Sequence, residues 1–357
     1  MKKTVLLACS LWLAFAAPAL AAAVVSTDAL REWNLIVFGN VTSNSEVEGR
    51  SFIGGDLDGS SSNYMIRTPP LSPTRQPGLT VVGNVTGNTK SLNNGSGAVI
   101  GGNVTSGFNL NGPAQTVKVG GTISNTNVNQ NTVLSGLAAS DQYFLADLTQ
   151  QKTLLQSSLT DLSGSLSQLA SNSSVTVANN RATFISAPDS TGLAIFDLTA
   201  AQLGNASEIA LNVNGADTVV INVSGENIAL AKNFLGGTTG LGEKVIWNFY
   251  EAKNFALSTA WGGSVLAPLA AAQTSNYIEG SAVFASLQQN GEFHLGTYSG
   301  TYFPPLVPPG GDTSPGGGGG TSVPEPATWL LLLGALALLW TGRRTLARRA
   351  RWASTRP

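Results

Sequence analysis

His294 is the sole histidine in the chain, so any Ser-His-Asp triad would have to be built on it. No Gly-x-Ser-x-Gly elbow lies nearby, and a lone histidine cannot make a zinc site without several partners. His294 therefore reads as a residue that ends a strand and bonds a turn. Cys9 is the sole cysteine and falls in a leader that is removed on export, which excludes a Cys-His pair, disulfides and thiolate metal sites. Asp56-Leu57-Asp58-Gly59 has half the look of a calcium loop but lacks the further acids and the distal glutamate. Glu46 and Glu48 alternate along a strand and could form a carboxylate pair with Asp56; polar residues at chain corners explain all three equally well. A polysaccharide-active enzyme on a β-helix would need a cation and a base clustered on one face, and the cations are scattered. Thr86, Thr105 and Thr122 recur at nearly the same place in three repeats. A threonine array on a flat face would suit ice binding, although strand exposure of a β-branched residue produces the same pattern. The residues point to a protein that is not an enzyme, with no catalytic, metal or cofactor site.

The elements that carry these residues follow from a repeated phrase. Val82-Gly83-Asn84-Val85, Ile100-Gly101-Gly102-Asn103-Val104 and Val119-Gly120-Gly121-Thr122-Ile123 place Gly83, Gly102 and Gly121 at intervals of 19 residues. Val37-Phe38-Gly39-Asn40-Val41 and Ile53-Gly54-Gly55-Asp56-Leu57 repeat it earlier. A fixed period near 20 marks stacked repeats. Glycine between β-branched residues makes each one a short strand, a corner and another strand. Units this short bury a face only by stacking. The expected fold is mainly β: a parallel β-solenoid, expected right-handed although the spacing alone does not fix the hand. Val219–Val223 and Val245–Phe249 read as buried strands. Gly263 and Gly280 mark two further rungs, with Pro268 at a corner, because it has no N–H for a ladder.

Residues 138–170 break the pattern. Leu148, Leu155, Leu162 and Leu169, with Leu145, Leu159 and Leu166, form one apolar stripe of a long amphipathic helix. Ser140 caps its start and Gly164 weakens its end. One stripe needs one neighbour, so the helix is expected to lie along the solenoid rather than to form a coiled coil with a partner.

Both termini read as targeting segments. Lys2 and Lys3, the apolar stretch Val5–Ala17 and the small residues Ala19 and Ala21 make residues 1–21 a secretory signal peptide cut after Ala21. Cys9 follows only four apolar residues, too early for lipoprotein processing. Residues 304–322, with five consecutive glycines Gly316–Gly320, form a flexible linker. Then come Pro324-Glu325-Pro326, the apolar run Ala327–Trp340, and Arg343, Arg344, Arg348, Arg349 and Arg351. A transmembrane segment is expected at about 327–342, short against the usual ~20 residues, with its arginines left on the cytoplasmic side. Of 19 cations in the chain, two lie in the leader and six beyond Trp340. The exported form therefore has 11 cations against 20 acids, a net charge of −9. Such a balance argues against nucleic-acid binding.

Residues 323–357 closely resemble the PEP-CTERM sorting signal of Gram-negative bacteria. The resemblance implies an exosortase-like processing enzyme, an inner-membrane-anchored precursor and final placement at the cell surface or outside. A second resemblance spans about residues 24–303. Trp33–Asn40, Val47–Arg50 and Gly54–Leu57 look like the opening of the choice-of-anchor A domain; Gly263–Pro268, Gly280 and Gly291–His294 look like its end. That family implies a β-helical adhesive or matrix module, similar in shape to ice-binding solenoids with a helix alongside. The expected function is a non-enzymatic adhesive or structural module binding exopolysaccharide or other surface proteins. An ice-binding solenoid and a polysaccharide-active enzyme are the alternatives.

Overall fold

The structure, a computed structural model, describes residues 24–302. The leader with Ala19 and Ala21, the linker 304–322, Pro324-Glu325-Pro326, the segment 327–342 and Arg343 and Arg344 all lie outside the described residues. Among the described residues, no helix is long and apolar enough to cross a membrane.

The domain is mainly β, with sheets of 15, 7 and 4 strands and few helices. Eleven strands form the spine of the largest sheet: β1 (Leu35–Val37), β2 (Ser51–Ile53), β3 (Leu79–Val81), β4 (Ala98–Ile100), β5 (Thr116–Val119), β6 (Thr132–Leu134), β7 (Leu193–Thr199), β8 (Thr218–Ser224), β9 (Val245–Asn248), β10 (Ser264–Thr274) and β11 (Ala282–Gln289). All pair in parallel, in the spatial order β6-β5-β4-β3-β2-β1-β11-β10-β9-β8-β7. The chain thus begins in the middle of the stack and climbs to one end. It crosses back, then climbs from the other end to where it started. Leu35 sits between Ser51 and Ala282.

Helix α2 (Phe144–Ser167) makes the return; the short helix α1 (Thr27–Glu32) precedes β1. The 24 residues of α2 span about 36 Å at ~1.5 Å per residue, or seven to eight rungs of about 4.8 Å. Its neighbours agree. Phe144 lies over Gly120 and Leu148 over Gly101, while Ser163 meets Asn248 and Leu166 meets Asn222. Leu155, Leu159, Leu162 and Leu166 are buried with Ile36, Phe52, Val220, Ile246, Leu266 and Val283 from the outer face of the sheet. The opposite face of the same strands turns inward to the main core, where Trp247, Trp261, Phe184 and Phe249 pack ring against ring. The helix therefore uses up one outer face of the stack.

Its last turn is fixed by polar groups. The C-terminal carbonyls of a helix lack intrahelical partners. Asn222 Nδ2 donates to the Leu166 carbonyl at 2.9 Å, and Asn248 Nδ2 donates to Ser163 O at 2.9 Å and to Asn222 Oδ1 at 2.8 Å. Both asparagines are buried.

Three local expectations are corrected. The helical region is split: Leu137–Ser140 is a separate turn, and α2 starts only at Phe144. Asp141 Oδ1 accepts the Tyr143 N–H at 3.0 Å, which closes a turn between the two. Ser140 is consequently no cap: its hydroxyl donates back to the Gly136 carbonyl. Leu145 falls off the buried stripe and is 42% exposed. A fourth expectation holds: Pro268 lies at the register shift between Ala267 and Ala271, where β10 passes from one face to the next and no ladder N–H is needed.

Candidate binding surface

With one outer face under α2, the next face of each rung stays open. The strands Asn227–Leu230 and Asn254–Leu257, the second half of β10, the second half of β11, Val41–Ser43 and Leu57–Gly59 pair along it in parallel. Single bridges continue it through Val85, Val104 and Ile123. Alternate residues point outward, so the register defines two outward rows over nine rungs. The first runs Asn227, Asn254, Ala271, Ser286, Asn40, Asp56, Asn84, Asn103, Thr122. The second runs Ala229, Ala256, Gln273, Gln288, Thr42, Asp58, Thr86, Thr105, Ser124.

The rows have different jobs. In the first, the side chains from Asn40 to Asn103 each hold the next rung. Asn40 Oδ1 accepts the Asp56 N–H (2.9 Å), Asp56 Oδ1 that of Asn84 (2.7 Å), Asn84 Oδ1 that of Asn103 (2.9 Å) and Asn103 Oδ1 that of Thr122 (2.8 Å). This ladder explains the repeated Gly-Asn phrase. A Cβ on Gly102 or Gly121 would overlap the amide oxygen of Asn84 or Asn103, and one on Gly120 would overlap the carbonyl of Gly101. Only glycine lets the corners approach so closely.

In the second row the side chains face outward, with alanines at its first two rungs, Ala229 and Ala256. Thr42, Thr105, Gln273 and Gln288 are exposed. Asp58 accepts the Thr86 hydroxyl at 2.9 Å. The Gly59 N–H, and then Thr86, hold the Asp58 carboxyl below the usual carboxylate range. Beneath this corner lies Lys90, buried, with Nζ donating to the carbonyls of Gly59 (3.1 Å) and Ser60 (2.6 Å). Burial pushes its pKa down to about 8, while Asp58 pulls it the other way. A third line of polar residues borders the rows, with Asn44 joined to Asn290 and to the Ser60 N–H. The result is a long, mainly polar face able to make many hydrogen bonds to an extended ligand.

The residues suspected of chemistry are not brought together. His294 ends the strand Phe293–His294 of the seven-stranded sheet. Its ring stacks on Tyr277, with centroids 4.3 Å apart, and its Nε2 lies 2.7 Å from Glu292, a side chain rather than a turn. Glu46, on that same sheet, accepts from Asn63, and Glu48 pairs with Arg67 and the Leu295 N–H. Asp56 belongs to the ladder on the other sheet, so no carboxylate pair forms with it. Among the described residues no group of three or more His, Cys, Asp or Glu side chains could hold a metal ion. Thr86 and Thr105 share a row, but Thr122 is one pleat away, where it ends the asparagine ladder. Sequence reasoning passed over Gln273, Gln288 and Lys90. The two glutamines sit in the half of the chain where the Gly-Asn phrase is absent, and an isolated lysine carries no positional signal.

Residues 26–295 match the family model described as "Putative Ice-binding-like adhesive domain", and residues 322–349 match the PEP-CTERM protein-sorting motif. No curated protein and no solved structure matches the chain. A PEP-CTERM motif marks a protein exported through an exosortase system in Gram-negative bacteria. The chain belongs to the ice-binding-like adhesive domain family and carries a PEP-CTERM sorting motif at its C-terminus.

Proposed function

We propose that this protein is an exported, non-enzymatic β-solenoid adhesin that binds extended surface polymer, foremost exopolysaccharide, along its second outward row. The observation that carries the reading is the row itself: nine in-register rungs in which the neighbouring asparagines are spent on structure while Thr42, Thr105, Gln273 and Gln288 remain open. Individually weak hydrogen bonds add up when ligand and protein are both repetitive. The signal peptide ends at Ala21. The segment at 327–342, behind Pro324-Glu325-Pro326 and ahead of Arg343 and Arg344, anchors a precursor in the inner membrane until an exosortase-type enzyme acts near the tripeptide. The product then works at the cell surface or in the matrix.

The family description also suggests an ice-binding reading. Thr86 and Thr105 in one row favour it, but the row is interrupted by the charge of Asp58 and by the long side chains of Gln273 and Gln288. A glycan array probed with the released protein separates the two. Binding to acidic or neutral polysaccharides with ice growth unchanged at micromolar protein supports adhesion. Shaped ice crystals with no glycan bound would reject it. Turnover of the cells' own exopolysaccharide would reject the non-enzymatic reading.

A further inference from the structure

The two ends of the stack are built differently. At the β7 end the outer backbone groups of Leu193 and Ile195 are already occupied. The Ile195 N–H is accepted by Asn172 Oδ1 at 2.8 Å, its carbonyl takes the N–H groups of Asn172 and Ser173, and Asn172 Nδ2 donates to the Leu193 carbonyl at 2.9 Å. This is how a protein blunts an edge. At the other end β6 pairs with β5 on one side, and among the described residues nothing pairs with its far side. In a parallel ladder alternate N–H and C=O groups turn away from the neighbour, so the far side of β6 presents unpaired groups. The apolar columns stop there uncovered. Ile123 and Val133 pack on the core yet remain partly open, Val128 is 46% exposed and Leu134 is 43% exposed. The usual protection of an edge by charge is missing too: from Ser91 to Ser140 the only charged residue is Lys118. The rest of an exported form of charge −9 would repel a second copy, whereas this end would not.

We propose that two copies of this chain join end to end through β6, strand against strand in antiparallel pairing about a two-fold axis. Capping at the β7 end blocks head-to-tail growth, so the contact closes on itself as a dimer rather than a filament. Pairing centred on Val133 sets Thr132 of one copy opposite Leu134 of the other. It satisfies the outward backbone groups and covers Val128 and Leu134, and because the partner's strands run the other way it places the open polar face of each copy on opposite flanks of the dimer. The inference is independent of which ligand that face takes.

The test is a charge exchange at the edge, read as molecular mass. One variant carries Thr132→Lys with Leu134→Lys; a second carries Thr132→Glu with Leu134→Glu. Both positions are exposed, so both chains should keep the wild-type circular dichroism. Sedimentation equilibrium of the full chain in mild detergent should show a wild-type dimer. Each variant alone sets like charges opposite one another and should weaken self-association at least ~10-fold. The equimolar mixture should recover the wild-type dimer, because every lysine then faces a glutamate. A wild-type chain that stays monomeric at ~100 μM, or variants that dimerise as well as wild type, would overturn the proposal.

Discussion

Gly120→Ala is the sharpest probe of why the corners carry paired glycines. The added Cβ would overlap the carbonyl oxygen of Gly101 in the rung below and approach the Phe144 ring of α2 to 3.3 Å. Backbone on one side and a helix on the other leave no flexible group to yield. Relief requires the two rungs to separate, which lengthens the bonds from Gly120 N–H to Ile100 O (2.8 Å) and from Gly121 N–H to Gly102 O (3.0 Å). Each is worth ~1 kcal/mol net, and displacing the buried Phe144 side chain adds ~1 kcal/mol or more. The expected loss is therefore roughly 2–4 kcal/mol, large for a single methyl. Gly164→Ala is the matched control: it lies inside α2, and an added Cβ meets nothing within 4 Å. Replacing a helical glycine there should stabilise by ~1 kcal/mol. Urea unfolding followed by circular dichroism measures both. If Gly120→Ala changes the midpoint no more than Gly164→Ala, the close-approach argument is wrong.

Asn248→Ala removes a buried amide that serves Ser163 and Asn222. It should cost roughly 2–4 kcal/mol, with α2 showing faster hydrogen exchange at its C-terminal turn before the sheet does. Asn103→Leu takes the acceptor from the Thr122 N–H and should cost ~1 kcal/mol, since this corner is exposed; differential scanning calorimetry would show the lowered Tm. Lys90 gives a pH signature. Its folded pKa, about 8, lies below the ordinary 10.5, so between those values the unfolded chain binds the extra proton. Stability should therefore rise from about pH 8 to about pH 9.5, before tyrosines ionise. In denaturant titrations Lys90→Met should lack that rise, and a rise kept by the variant would assign it to another group. Deleting residues 323–357 should leave the domain folded but change where the protein is found; unchanged fractionation would remove the sorting role of Pro324-Glu325-Pro326.

Much of this architecture was legible because one backbone problem was solved the same way several times. Gly102 and Gly121 recur because the Asn84 and Asn103 amides sit against them, and a requirement that strict leaves a visible phrase. The leucine stripe of α2 was legible for a similar reason: each turn meets the same kind of apolar row. The spatial order was not. Nothing in the sequence near Leu35 says that its second neighbour is Ala282, because parallel pairing through backbone groups carries no residue-specific code. The binding row was half legible. Thr86 and Thr105 follow the repeat, whereas Gln273 and Gln288 join the row only through the return of the chain, and Thr122 was read one pleat out of place. A two-residue shift of that kind keeps a side chain on the open face but moves it to the other row.

The claim that the open row binds surface polymer is tested most directly by equilibrium binding of the released protein to exopolysaccharide from the cells that export it. Thr105→Val, Gln273→Ala and Gln288→Ala together remove three exposed polar side chains without touching the asparagine ladder. At ~1 kcal/mol each, affinity should fall on the order of 100-fold. Ser91→Ala with Asn109→Ala on the seven-stranded sheet should stay within about twofold of wild type. Equal losses in both variants, or none in the first, would contradict the account.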